Sequence, residues 1–194
     1  MNAAEIKQRF TRNALFSGYI VASESNYAMK PDLLTISKNL RTCEYEIKVS
    51  IADLRKELTY IEAVLEDQKN HVIFNQLGIP LFDPDATREL NRTRKFKTYD
   101  NKYRKHRAYQ FYEFDKRENN GIPVPNRFYF LISRELYEKE RERIDAIPFY
   151  GVIDSQSFLS LKRCKPIHNE LASAYEIWQS ARNIQFRHIV GDAE

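Results

Sequence analysis

The hydrophobic period of this chain changes twice within its first 77 residues, and the order of the changes narrows the folds open to it. Ala3, Ile6, Phe10 and Ala14 recur at helical spacing, so residues 3 to about 15 are predicted to form an amphipathic helix ending before Gly18. The segments 19–25, 32–37 and 43–50 are strand-length, rich in β-branched and aromatic residues, and separated by polar turns. The period then returns to helical. Residues 51 to 77 contain neither Gly nor Pro, and Leu54, Leu58, Ile61 and Leu65 keep one apolar stripe until Gly78 offers a stop. Ser50 with Asp53 three residues later is a near capping box, with Asp where Glu or Gln is usual, and sets the helix start near Ile51.

Asp83 followed by Pro84 predicts a further helix start. After the loop "ENNGIPVPN", residues 127–133 read as a strand. A surface helix follows, with Leu136, Tyr137 and Ile144 as a narrow stripe among charges, and then the short strands "FYGVID" and "SFLSLKR". Leu171, Ala174, Tyr175, Trp178 and Ala181 share one helical face in the tail, which predicts a helix docked through them. No internal repeat is visible. The 194 residues suit one α/β domain, a mixed sheet with helices packed on it. With 5 Gly and 7 Pro the chain is neither low-complexity nor collagen-like. No run approaches the ~20 apolar residues of a membrane span, and no signal peptide is legible, so the expected location is cytoplasmic, with no membrane partner. Cys43 and Cys164 are expected to be buried free thiols.

Residues two apart on a strand share a face, so Glu44, Glu46 and Lys48 point one way and Tyr45, Ile47 and Val49 the other. A turn around residues 38–41 folds the preceding strand back and brings Asp32 beside the end of "EYEIK". Crowded carboxylates repel, and proton uptake or a hard divalent cation relieves them. A solvated strand face with cross-strand ion pairs would produce the same spacing. An acid two residues before Lys occurs also at Glu5, Asp67 and Asp100, but only the copy at Glu46 lies on a predicted strand, follows Pro-Asp and precedes a capped helix.

"PDLLTIS…CEYEIKVSIADLRKE" resembles the PD-(D/E)XK nuclease superfamily, and within it the MmcB-like DNA-repair family, in its Asp, Glu-x-Lys and Ser-x-x-Asp motifs. "VASES", "KYRKHRAY", "NRFYFLIS" and "AIPFYGVIDSQSFLSLKRCKPIH" extend the likeness to well over half of the chain. The departure is a helical insertion at residues 58–95. The resemblance implies a restriction-endonuclease-like α-β-β-β-α-β core and hydrolysis of DNA phosphodiesters with Mg2+ or Mn2+ by a single nuclease-like domain. It implies that Asp32 and Glu46 hold the metal, that the carbonyl of Ile47 completes its shell, that Glu24, or less favourably Glu5, adds a carboxylate, and that Lys48 orients or helps deprotonate the attacking water. Glu44 is left a cross-strand or solvent role, and Ser50 and Asp53 that of helix caps.

Arg92, Arg94, Lys95, Lys97, Lys102, Arg104, Lys105 and Arg107 stand against one acid, Asp100, with Phe96, Tyr99 and Tyr103 among them. Such a segment neutralises phosphates and stacks bases, with His106 as a further phosphate contact; a solvated face offset by acids elsewhere is the alternative. His71, His168 and His188 lack ligand spacing and read as structural. The expected function is a metal-dependent nuclease, endonucleolytic, in DNA repair, recombination or restriction. A non-catalytic DNA-binding protein on the same fold is the second reading. The third is an adaptor, or a homodimer, in which Leu58, Ile61, Leu65 and Phe74 of the insertion meet a protein partner.

Overall fold

A computed structural model describes residues 1–23, 31–76, 101–110, 112, 124–175, 177–178 and 180–182, with side chains along the long helix as far as residue 66. The expected helix at Asp83 and Pro84 lies outside these residues.

Helix α1 (Ala3–Phe16) opens with a complete capping box: Asn2 accepts from the Glu5 amide at 2.9 Å, and Glu5 accepts from the Asn2 amide at 3.1 Å. Glu5 is thereby a cap. Ile6, Phe10 and Ala14 form its buried face, as the spacing predicts. Gly18 takes the left-handed φ of 79° that turns the chain into the sheet. Strands β1 (Ile20–Ser23), β2 (Leu33–Ile36) and β3 (Thr42–Ile47) pair antiparallel in succession. The turn between β2 and β3 is closed by the Ser37 amide on the Arg41 carbonyl at 2.9 Å, with Leu40 at φ 57°.

Helix α2 (Ile51–Gln76) begins where Ser50 Oγ accepts from the Asp53 amide at 3.2 Å, so Ser50 acts as the cap, while the Asp53 carboxylate lies 3.8 Å from the Lys48 ammonium. After α2 and α3 (Asn101–Gln110), β4 (Arg127–Ile132) pairs parallel to β3. The predicted single helix after β4 is instead two, α4 (Arg134–Lys139) and α5 (Arg141–Asp145). The break falls at Glu140, which is buried and bonded to Arg55 at 2.7 Å and Arg143 at 2.9 Å; satisfying those ion pairs turns the chain. Strand β5 (Tyr150–Asp154) pairs parallel to β4, and β6 (Ser160–Lys162) pairs antiparallel to β5. The result is an α/β fold on one six-stranded mixed sheet in sequence order.

The sheet separates two cores. On one face α1 packs its buried side chains with Leu33, Ile47 and Leu131. On the other, α2 and α3 cover Leu34, Phe128, Phe130, Tyr150 and Val152. Leu54, Leu58 and Ile61 are fully buried there, and each contributes about 1.5–3 kcal/mol of burial free energy. That corrects the adaptor reading: Leu58 and Ile61 belong to the central core, and Leu65 packs against it. The Phe74 side chain lies outside the described ones. At Gly151, opposite Tyr129 on β4, a Cβ would overlap the Tyr129 ring, which itself stacks on Tyr45 at 5.8 Å.

The tail also corrects an expectation. Residues described between 174 and 182 are helical, but Leu171, Tyr175 and Trp178 are more than half exposed, while Ala172 and Ser180 are buried. Trp178 stacks on Tyr175 at 6.1 Å and lies under Arg182 at 5.4 Å. Cys43 and Cys164 are free thiols but only partly buried. No helix among the described residues is long and apolar enough to cross a membrane.

Candidate functional site

The register Leu33 opposite Tyr45, carried one residue further, sets Asp32 opposite Glu46. Asp32 Oδ2 accepts the Ile47 amide at 2.7 Å, which fixes the start of β2 against the end of β3. Burial raises the Asp32 pKa, and the negative charge of Glu46 raises it further, the signature of two carboxylates near each other. Lys48, just past β3, places Nζ 2.8 Å from Glu46 Oε1. The three residues of the Asp and Glu-x-Lys motifs therefore meet. Ile47, assigned a carbonyl contact by the resemblance, contributes its amide to Asp32. Glu24 lies outside the described residues.

The polar face of β3 is not solvated. In the parallel register Glu44 lies beside Phe128 and Glu46 beside Phe130, so both carboxylates emerge from an apolar sheet face roofed by α2 and α3. Buried carboxylates need partners, and the helices supply them. Lys105 of α3 pairs with Glu44 and lies 3.0 Å from Glu46 Oε2. Tyr109, one turn on, donates to Glu44. From α2, Glu57 comes within 3.4 Å of Lys48, pairs with Lys102, and accepts from or shares a proton with His106 Nε2 at 2.7 Å. His106 Nδ1 meets the Tyr150 hydroxyl at 2.9 Å.

The electrostatics follow from this packing. Burial opposes the charge of Glu46, but the ammonium groups of Lys105 and Lys48 outweigh it and bring the pKa down to about 2. Glu44 is deeper, and burial pushes it up to about 7 despite Lys105. Burial also opposes the charge of Glu57, yet His106, Lys48 and Lys102 hold it well below the usual carboxylate range. His106 is lowered by burial in spite of Glu57. Lys48 and Lys105 lose solvent but gain carboxylates, and both rise.

Two members of the expected phosphate-contacting patch are thus corrected. Lys105 is 5% and His106 0% exposed, and both turn inward because α3 buries the face that carries Tyr103, His106 and Tyr109. Arg104 is exposed, and Lys102 and Arg107 are partly exposed. Lys95 and Lys97 lie outside the described residues. Glu44, given a cross-strand or solvent role, is fully buried and held by α3. Sequence reasoning missed Glu57, although a signal existed: it falls three residues after Leu54 and four before Ile61, on the buried stripe of α2. Tyr150 carried no such signal, since a tyrosine on a buried strand reads as core. His168 is structural, as expected, stacked on Tyr112 at 4.3 Å and bonded to the Val124 carbonyl at 2.7 Å.

Asp32 and Glu46 offer the hard oxygen donors that Mg2+ or Mn2+ takes, and magnesium needs only one or two carboxylates because it keeps several waters. Among the described residues no group of three or more His, Cys, Asp or Glu is placed to hold a metal ion. Comparison of the chain with family models, curated proteins and solved structures finds no match.

Proposed function

We propose that this protein is a metal-dependent deoxyribonuclease built on a restriction-endonuclease-like core, cutting DNA endonucleolytically in repair, recombination or restriction. The observation that carries the reading is the meeting of Asp32, Glu46 and Lys48: a carboxylate from one strand, a carboxylate from the next, and an ammonium 2.8 Å from the second. Asp32 and Glu46 would hold Mg2+ or Mn2+. The bound cation would polarise a phosphate oxygen and lower the pKa of a bound water. Lys48, held between Glu46 and Glu57, stays charged and supplies a point charge that orients the attacking water and offsets charge developing on phosphate. The Asp32–Ile47 hydrogen bond keeps the first carboxylate at the strand end, and α2 fixes Lys48 through Glu57. Arg104, with Lys102 and Arg107, would contact the DNA backbone from α3.

Supercoiled plasmid incubated with the protein is expected to be nicked with magnesium or manganese and not with chelator. Lys48→Ala and Asp32→Asn are each expected to lower the rate at least a hundredfold. Cutting that survives both substitutions ends the assignment.

One observation favours a second reading, a DNA-binding protein without catalysis. Both oxygens of Glu46 already face lysines, so the carboxylates have a structural use without metal. That protein would shift DNA in gels, with salt-sensitive affinity and no cleavage.

A further inference from the structure

The cluster contains three buried carboxylates, Glu44, Glu46 and Glu57, and three ammonium groups, those of Lys48, Lys102 and Lys105. The lysines differ in origin. Lys48 is two residues from Glu46 in the chain, its ammonium 2.8 Å from Glu46 Oε1. Lys102 and Lys105 come from a separate helix, one turn apart on the same side of α3. Glu46 Oε1 faces Lys48 at 2.8 Å and Lys102 at 3.6 Å, and its Oε2 faces Lys105 at 3.0 Å. The Lys105 ammonium also lies 5.5 Å from the centre of the Phe128 ring, a low-dielectric setting in which like charges repel strongly.

Resting on the metal site proposed above, we propose that Lys102 and Lys105 act as built-in competitors of the divalent cation: α3 seats its ammonium groups on the carboxylates, and metal binds Glu46 only as one of them withdraws. A doubly charged ion arriving at Glu46 meets an ammonium on either oxygen. The coupling is reciprocal, so the metal loosens the α3 lysines by the factor with which they weaken the metal. Lys102 and Lys105 are then positioning residues that set the cation affinity of the site and join it to the helix bearing the exposed Arg104.

The full-length chain, Lys102→Met, Lys105→Met and Asp32→Asn are each titrated calorimetrically with manganese alone. Each lysine variant is expected to bind on the order of tenfold more tightly than the unaltered protein. Manganese is also expected to raise labelling of Lys102 and Lys105 in the unaltered chain by an amine-reactive reagent read by mass spectrometry. Lys105→Met leaves Glu44 short of a cation; should that variant not fold, Lys102→Met carries the comparison, since the Lys102 side chain is 38% exposed. Equal manganese affinity with and without the lysines, together with weaker binding by Asp32→Asn, overturns the competition and leaves the metal site standing. Absence of binding in every variant overturns both.

Discussion

Glu140 shows how a single residue acts on this fold. Burial works against its charge, but hydrogen bonds from Arg55 on α2 and Arg143 on α5 outweigh that effect and hold its pKa below the ordinary carboxylate value. A depressed carboxylate contributes stability that is present above the unfolded pKa and is lost as pH falls through the folded one. Glu140→Gln is therefore expected to melt at a lower temperature than the unaltered protein at pH 7, with the gap closing as pH falls below about 5. Melting curves by circular dichroism at pH 7, 5 and 4 measure the gap; a constant difference refutes the ion-pair account. The charges of "ELYEKERERI" are plain in the sequence, but which of them goes inside is not. Glu140 is chosen because Arg55, 85 residues away in the chain, reaches it across the gap between two helices.

At the scale of elements, α2 is more than a support for the motif. Its stripe begins with Leu54 and continues through Leu58 and Ile61 as fully buried core, with Glu57 on the same side facing Lys48. Leu58→Ala is expected to cost about 2–5 kcal/mol in denaturant unfolding, because neighbours on β4 and β5 cannot collapse into the space. The exposed tail helix gives the contrast: Trp178→Ala removes a stacking partner of Tyr175 and a cation contact with Arg182, and is expected to cost about 1 kcal/mol or less. A loss above 2 kcal/mol at Trp178 contradicts its placement at the surface. Helical spacing revealed both stripes equally well, since period reports that residues share a face and is silent on where that face points. The α2 stripe is covered by the sheet, whereas the tail turns Ala172 and Ser180 inward.

Across the whole molecule the excess charge is only +4, so any affinity for DNA depends on where the cations stand. On α3 the structure divides them: Lys105 faces the carboxylates, and Arg104 faces solvent. Arg104→Ala is expected to weaken DNA binding and reduce the slope of log affinity against log salt by about 1, with thermal stability unchanged. Gel shifts from low to moderate salt measure the slope, and an unaltered slope removes Arg104 from the interface. The sequence by itself determined the order of the strands, the cap at Ser50, the hairpin that sets Asp32 opposite Glu46, and the side of β3 that is ionic. These depend on local spacing and on pairing between strands joined by a short turn. Only the tertiary structure decided that the ionic side is roofed, that Lys105 and His106 turn inward, and that Glu57 and Tyr150 complete the cluster. Those partners lie tens of residues apart in the chain, and packing α3 over the sheet fixes which cation meets which carboxylate, because a buried charge is stable only where a partner from another element reaches it.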